Sequence, residues 1–128
     1  MTVVLDASAL CALIFDEKGA TKIEALLPTA VIGSVNLSEV VAKMQDNGID
    51  DAIIDATLAD LGLTVVSFDS EQATVAGKLR AATKAFNVSL GDRACLALAI
   101  ESKCPAVTGD RAWKDFAKQI GVKLELFR

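Results

Sequence analysis

Val3-Val4-Leu5-Asp6-Ala7-Ser8-Ala9-Leu10 is the stretch that decides the fold. Three apolar residues, two of them β-branched, stop at an acid, and Ala9, Leu10, Leu13 and Ile14 then recur at helical spacing. The segment reads as a buried strand over Thr2–Leu5 that runs straight into a helix and sets Asp6 at the strand's carboxyl end. Lacking a basic leader and carrying an acid inside it, the segment fits a first buried strand better than a signal peptide.

The same unit recurs downstream. Short β-branched runs alternate with longer helical patterns, the mark of a parallel sheet covered by helices. After a turn at Gly19, Ile23, Leu26 and Leu27 predict a helix closed by Pro28, and Ala30–Gly33 reads as the second strand. Helices are expected over Leu37–Gln45 and Ile49–Leu61, split by Asn47-Gly48, with a third strand over Leu63–Phe68. The longest helix is expected over Glu71–Phe86, a mainly apolar one over Leu90–Glu101, and a short strand over Ala106–Thr108. An amphipathic helix over Arg111–Ile120 and an edge strand over Lys123–Phe127 complete an α/β domain with a central parallel sheet.

The chain has 128 residues, 52% of them hydrophobic, with two prolines and no Gly/Ser tract or repeat, so residues 1–128 are read as a single domain. A domain of this size buries about 68% of its unfolded surface and folds without staples. The three cysteines, Cys11, Cys95 and Cys104, are odd in number and far apart, which favours reduced thiols and a cytoplasmic setting. No apolar run reaches a membrane span of about 20 residues. The net charge of −4 speaks against a general nucleic-acid coating protein.

Much of that negative charge matters because of where it falls. Asp6, Glu39 in SVNLSEVV, Asp92 in VSLGDRAC and Asp110 in AVTGDRAW each stand where the chain enters a helix. A parallel sheet gathers such positions at the carboxyl ends of its strands. Each acid also has a plain structural role available to it. Asp6 or Ser8 suits the cap of the first helix, Asn36-Leu-Ser-Glu39 and Ser89-Leu-Gly-Asp92 have capping-box spacing, and Asp110 suits the cap of the last helix. Taken together, four clustered carboxylates repel one another, and a bound cation removes that conflict. With no histidine and no paired cysteines, the donors are oxygen, so the ion expected is Mg²⁺ or Mn²⁺ rather than Zn²⁺. Two such ions would bring the net charge from −4 to zero. Ser8 and Thr108 are candidates to hydrogen-bond the carboxylates from behind.

VVLDASAL, NLSEVV, SLGDRACLALA and VTGDRAWKDF, in this order and spacing, resemble the PIN-domain ribonucleases, most closely the VapC toxins of bacterial and archaeal toxin–antitoxin systems. The resemblance covers nearly the whole chain. It implies a three-layer α/β/α fold, an Mg²⁺ or Mn²⁺ site in which Asp6, Glu39, Asp92 and Asp110 form the acidic quartet, endoribonuclease activity, homodimerisation and a cognate antitoxin. Gly91 and Arg93 depart from the small or apolar neighbours common beside the third acid.

Arg93, Arg111 and Lys114 are candidate contacts to RNA phosphate, with Lys118 on the same side of the last helix, and Lys78, Arg80 and Lys84 form a second basic strip; a plainly solvated helix face is the alternative reading of both. Trp113, Phe116 and Ile120 share helical spacing and read as core rather than as a stacking platform. Asp69 reads as a cap with Gln72 at the boxed position, and Asp115 falls on another helical face. The apolar faces of the first two helices and of Ile49–Leu61 exceed what one small sheet needs and predict cover by a second copy or an antitoxin helix. A receiver-like signalling domain, with Asp6 and Asp69 after its strands, is disfavoured by the missing acidic pair and lysine. A haloacid-dehalogenase-like phosphatase would need an acid where Ser8 stands. A PIN scaffold that binds RNA or antitoxin without cutting remains the other alternative.

Overall fold

The β-branched runs and helical patterns assemble into one five-stranded sheet in the computed structural model, which describes residues 1–128. In chain order the elements are β1 (Val3–Leu5), α1 (Ala7–Ile14), α2 (Ala20–Leu26), β2 (Ala30–Gly33), α3 (Ser34–Asp46) and α4 (Asp51–Leu61). They continue with β3 (Thr64–Val66), α5 (Ser70–Lys78), α6 (Arg80–Thr83), α7 (Leu90–Ser102), β4 (Ala106–Thr108) and β5 (Leu124–Leu126). Strand order is β3-β2-β1-β4-β5, and every neighbouring pair is parallel. From β1 the chain builds outward through β2 and β3, then crosses back to lay β4 and β5 on the other side. That reversal opens a crevice at the carboxyl ends of β1 and β4, where loops part in opposite directions.

Side chains alternate across the sheet, so each strand feeds two cores. Val4 and Ala106 pack on one face with Cys95, Leu96, Trp113 and Phe116. Val3, Leu5 and Val107 pack on the other with Ala9, Ala12 and Ile23. A third cluster joins Leu10 of α1 and Ile32 of β2 to Val40, Met44 and Ile54 of α3 and α4. Helices therefore cover both faces, giving three α/β/α layers. The middle strand, β1, is buried throughout, and no helix is long and apolar enough to cross a membrane.

Three helix expectations are corrected. α3 begins at Ser34 and not at Leu37, because Gly33, extended at φ −74° and ψ 151°, is its N-cap. Asn36 therefore lies inside the first turn and cannot cap. The expected Glu71–Phe86 helix ends at Lys78, resumes for one turn as α6, and closes in a 3₁₀ turn that Asn87 stops at φ 56°. Arg111–Ile120 forms no α-helix but a 3₁₀ turn over Arg111–Asp115, followed by turns to Gly121 at φ 78°. At three residues per turn, Trp113 and Phe116 fall on one side, and both are buried.

Smaller differences follow local chemistry. α4 starts at Asp51 and β3 is limited to Thr64–Val66, an exposed edge with Val65 44% accessible. Asp69 caps α5 by accepting the Gln72 N–H at 2.8 Å, while the Gln72 side chain donates to the Ser67 carbonyl instead of returning to the cap. Cys95 is core, whereas Cys11 and Cys104 are half-buried, and all three thiols are free. Of α4's apolar residues Ile54 is buried, and Ile53 stays 56% exposed.

Candidate metal centre at the carboxyl edge of the sheet

Asp6 stands at the end of β1, directly in the crevice between β1 and β4, and is 5% exposed. Its Oδ1 accepts the Ala9 N–H at 2.9 Å and the Ser8 hydroxyl at 2.7 Å, and its Oδ2 accepts the Thr108 hydroxyl at 2.5 Å. Both hydroxyls are oriented from β4's exit loop. The Gly109 N–H donates to Ser8 Oγ at 3.0 Å and the Asp110 N–H donates to Thr108 Oγ1 at 3.0 Å, so each hydroxyl proton is left for Asp6. Asp6 is thus both the cap of α1 and the anchor between two strands. Thr108→Val is expected to cost about 1–3 kcal/mol in a urea melt, because it strips Asp6 of one donor and leaves the Asp110 N–H unpaired. An unchanged midpoint would remove this network from the account.

Glu39 reaches the rim from the second turn of α3. Asn36, 1% exposed, donates its amide to Glu39 Oε1 at 2.8 Å and to the Gly91 carbonyl at 2.9 Å, tying α3 to the start of α7. This replaces the capping box expected for Asn36 and Glu39. The Glu39 carboxylate lies so close over Gly91 that a Cβ there would overlap Cδ and both oxygens. Asp92, one residue on, keeps its capping box: Ser89 Oγ accepts the Asp92 N–H and Asp92 Oδ2 accepts the Ser89 N–H, each at 3.1 Å. Asp110 accepts the Ala112 N–H at 3.0 Å and caps the 3₁₀ turn. Glu39, Asp92 and Asp110 each commit one oxygen to a protein donor, leaving Glu39 Oε2, Asp92 Oδ1 and Asp110 Oδ2 without one.

Electrostatics join the four. Burial raises the proton affinity of Asp6 against the pull of its hydrogen bonds, and the charge of Asp92 adds to the rise. Burial likewise raises Glu39, opposed by the Asn36 amide and reinforced by Asp92. Burial raises Asp92, opposed by the Ser89 bonds and reinforced by Asp110. No cationic side chain pairs with any of them, for the one ion pair in the protein joins Arg128 to Glu17 at 3.6 Å.

The donor set suits a hard divalent ion. No three of these acids are drawn tightly enough together to grip an ion directly. An ion at this rim would have to be held by one or two carboxylates and its own waters, the coordination that Mg²⁺ accepts. A larger depression of about 570 Å³ beside Gln45–Asp51 contains none of the quartet.

Among the expected phosphate contacts, Arg93 is turned away from the rim. Its Nη1 donates to the Ala76 carbonyl of α5 at 3.0 Å, and its Nε is buried without a partner. Arg93 leans on α5 and neutralises none of the acids. Arg111 and Lys114 are exposed on the 3₁₀ turn after Asp110, and Trp113 is core. Asn36 was legible only as a cap, and Arg128 had no sequence signal at all; its guanidinium packs over Gly109 beside the crevice.

The fold is a parallel three-layer α/β domain with Asp6 at its topological switch point. The family model for the PIN domain matches residues 3–119, and the chain belongs to that family. It is similar in fold to a chain of a toxin–antitoxin complex from Klebsiella pneumoniae, at 22% identity and a TM-score of 0.72, over 94% of this chain and 95% of that one. A chain of DNA-bound VapBC from Salmonella typhimurium superposes with a TM-score of 0.78 at 16% identity, over 100% and 99%. A chain of VapBC-1 from nontypeable Haemophilus influenzae gives 0.72 at 16% identity, over 99% and 98%. Comparison with curated proteins found no match.

Proposed function

We propose that this PIN domain is an Mg²⁺- or Mn²⁺-dependent endoribonuclease that hydrolyses RNA phosphodiester bonds and acts as the toxin of a type II toxin–antitoxin pair. The observation that carries the proposal is the rim itself: four carboxylates on four chain segments, charge-coupled through Asp92, with no cationic partner. A fold that gathers uncompensated acids at a switch point is built for a cation.

Asp6, Glu39, Asp92 and Asp110 would hold the ion or its waters, with Glu39 Oε2, Asp92 Oδ1 and Asp110 Oδ2 as the oxygens left free. When bound, a hard divalent ion supplies Lewis acidity toward water and the scissile phosphate at neutral pH. Ser8 and Thr108 fix the rotamer of Asp6, so that its charge does not need to reorganise during reaction. Glu39, whose proton affinity is raised, presents Oε2 as an acceptor for the proton of the attacking water. Arg111 and Lys114, exposed next to Asp110, would meet the RNA backbone.

An antitoxin protein and a second copy of the chain are the proposed partners. The similarity to chains solved in toxin–antitoxin complexes supports the first, and the exposed Ile53 on α4 leaves apolar surface for either. Three free thiols suit a reducing, cytoplasmic setting.

The test is cleavage of a panel of structured RNAs with Mg²⁺ or Mn²⁺. Cuts internal to the RNA, abolished by EDTA and restored by excess metal, are expected. Binding of RNA or antitoxin without metal-dependent cleavage would instead establish a silent binding module. Mn²⁺ is also expected to raise the melting temperature, since a ligand held only by the folded state stabilises it by about 2.7 kcal/mol at a hundred times its Kd.

A further inference from the structure

A second feature abuts the acid rim, on the side of α1 and α3. A cavity of about 350 Å³ is lined by Ser8, Cys11, Glu17, Glu39, Lys43 and Arg128 among others. It shares Ser8 and Glu39 with the carboxylate centre and adds the two cations that the centre lacks. Lys43 lies one turn beyond Glu39 on α3, so both side chains occupy one helix face. Arg128 comes from the opposite wall. Its guanidinium lies over Gly109, where any Cβ would strike Nε at 2.6 Å, and over the Phe127 ring with Cζ 5.0 Å from the centroid. These contacts hold the guanidinium at the exit of β4, between Thr108 and Asp110 in sequence.

The ion pair with Glu17 leaves the guanidinium free to take another ligand. At 3.6 Å it is long, and Arg128 and Glu17 remain 34% and 48% exposed, the regime in which such pairs contribute little. Lys43 has no ion-pair partner. The cavity therefore offers a planar guanidinium and an ammonium beside one edge of the acidic centre. That is the donor pair suited to an oxyanion such as a phosphodiester.

Resting on the nuclease reading above, we infer that Arg128 and Lys43 form a subsite for a phosphodiester of the RNA backbone next to the one cleaved, fixing the register of the strand across the acid rim. An acidic peptide segment of a partner could use the same cations, but the walls shared with Glu39 and Ser8 favour the substrate. A backbone entering the crevice must pass this cavity or leave by the opposite side of β4.

The experiment uses the full chain with Arg128→Gln, Lys43→Gln and the double variant. Glutamine removes the charge while keeping an unbranched polar side chain, and circular dichroism melts confirm folding. Affinity for a fluorescent single-stranded RNA is read by anisotropy in EDTA across a KCl series, and kcat and KM are read with Mg²⁺. The double variant is expected to bind RNA about tenfold more weakly, with a log–log salt slope smaller by about 0.7, the value for one phosphate contact on a single strand. KM should rise in parallel, with kcat within about twofold. Unchanged affinity and salt slope would overturn the subsite, as would a loss confined to antitoxin binding. Failure of the nuclease reading shows separately, as wild-type protein that binds RNA in EDTA yet never cuts it with metal.

Discussion

Asp92→Asn is expected to lower RNA cleavage by about a thousandfold, the scale of losing a group that acts on charge in the transition state, while raising the melting temperature of the metal-free protein. Asp92 is the acid that the charges of the other three converge on, since it raises Asp6 and Glu39 and is itself raised by Asp110. Asparagine is nearly isosteric, and its side-chain oxygen can still accept the Ser89 N–H, so the cap of α7 survives. What disappears is repulsion inside a partly buried cluster. Because Asp92 keeps some access to solvent, the relief is discounted to about 1 kcal/mol or less, a rise of a few degrees at this chain length. If the acid served only as a cap, the same change would lower stability, and that outcome would remove Asp92 from the proposed centre.

The pH dependence separates these outcomes further. Folding raises the proton affinities of Asp6, Glu39 and Asp92, so the native state holds protons that the unfolded chain has released. Stability of the metal-free protein from these groups is therefore greatest at or below their ordinary values of 3.8 for the aspartates and 4.5 for Glu39. It declines as pH rises from there through the raised values. The Asp92→Asn advantage should accordingly be full near pH 7 and vanish toward pH 3.5, in urea melts with EDTA. Divalent metal should reverse the wild-type decline and act weakly on the variant. An advantage independent of pH would mean that packing, not charge, is responsible.

The parallel sheet was readable because its strands are short, apolar and punctuated. Ala30–Gly33 and Ala106–Thr108 emerge with the bounds expected, since each runs directly into a glycine-marked boundary and its residues are mostly buried. The helical stretches misled where a period was shared by two structures. Trp113 and Phe116 are three apart, which fits an α-helix face and a 3₁₀ turn equally, and the core beneath them selected the turn. Capping arithmetic had the same ambiguity. Asn36 and Glu39 carry box spacing, yet Gly33 starts the helix, and the Asn36 amide is spent across space on Gly91. That partner is 55 residues away, and no local pattern encodes it. Arg128 shows the same limit more sharply, because its neighbours Gly109 and Glu17 meet it only when β5 lies beside β4. Asp6, Asp92 and Asp110 were legible since each sits at an element boundary, and so were Ser8 and Thr108 behind Asp6 and the Ser89 box of Asp92; what steadies Glu39, inside α3, was not.

Gly91→Ala should therefore separate the site from the fold. In the first turn of α7 alanine is the better helix former, by close to 1 kcal/mol, and nothing in the backbone conformation of residue 91 demands glycine, which has no positive φ. The three atoms nearest the new methyl all belong to the Glu39 carboxylate, the free end of a flexible side chain. Glu39 should swing aside, breaking its bond to Asn36 and carrying Oε2 away from Asp92, while the Asn36 bond to the residue 91 carbonyl persists. The expected result is a melting temperature within about 3 °C of wild type together with a roughly hundredfold loss of metal-dependent cleavage, the effect of a positioning error near 1 Å. Single-turnover cleavage and a calorimetric melt measure the two sides. Full activity in Gly91→Ala would show that Glu39 need not stand over the first turn of α7, and would take it out of the quartet. Glu39→Gln completes the comparison, because it preserves the Asn36 contact through its amide oxygen while deleting the charge. If the carboxylate is needed both in place and ionised, each change should disable the enzyme, and combining them should add little beyond the larger single loss.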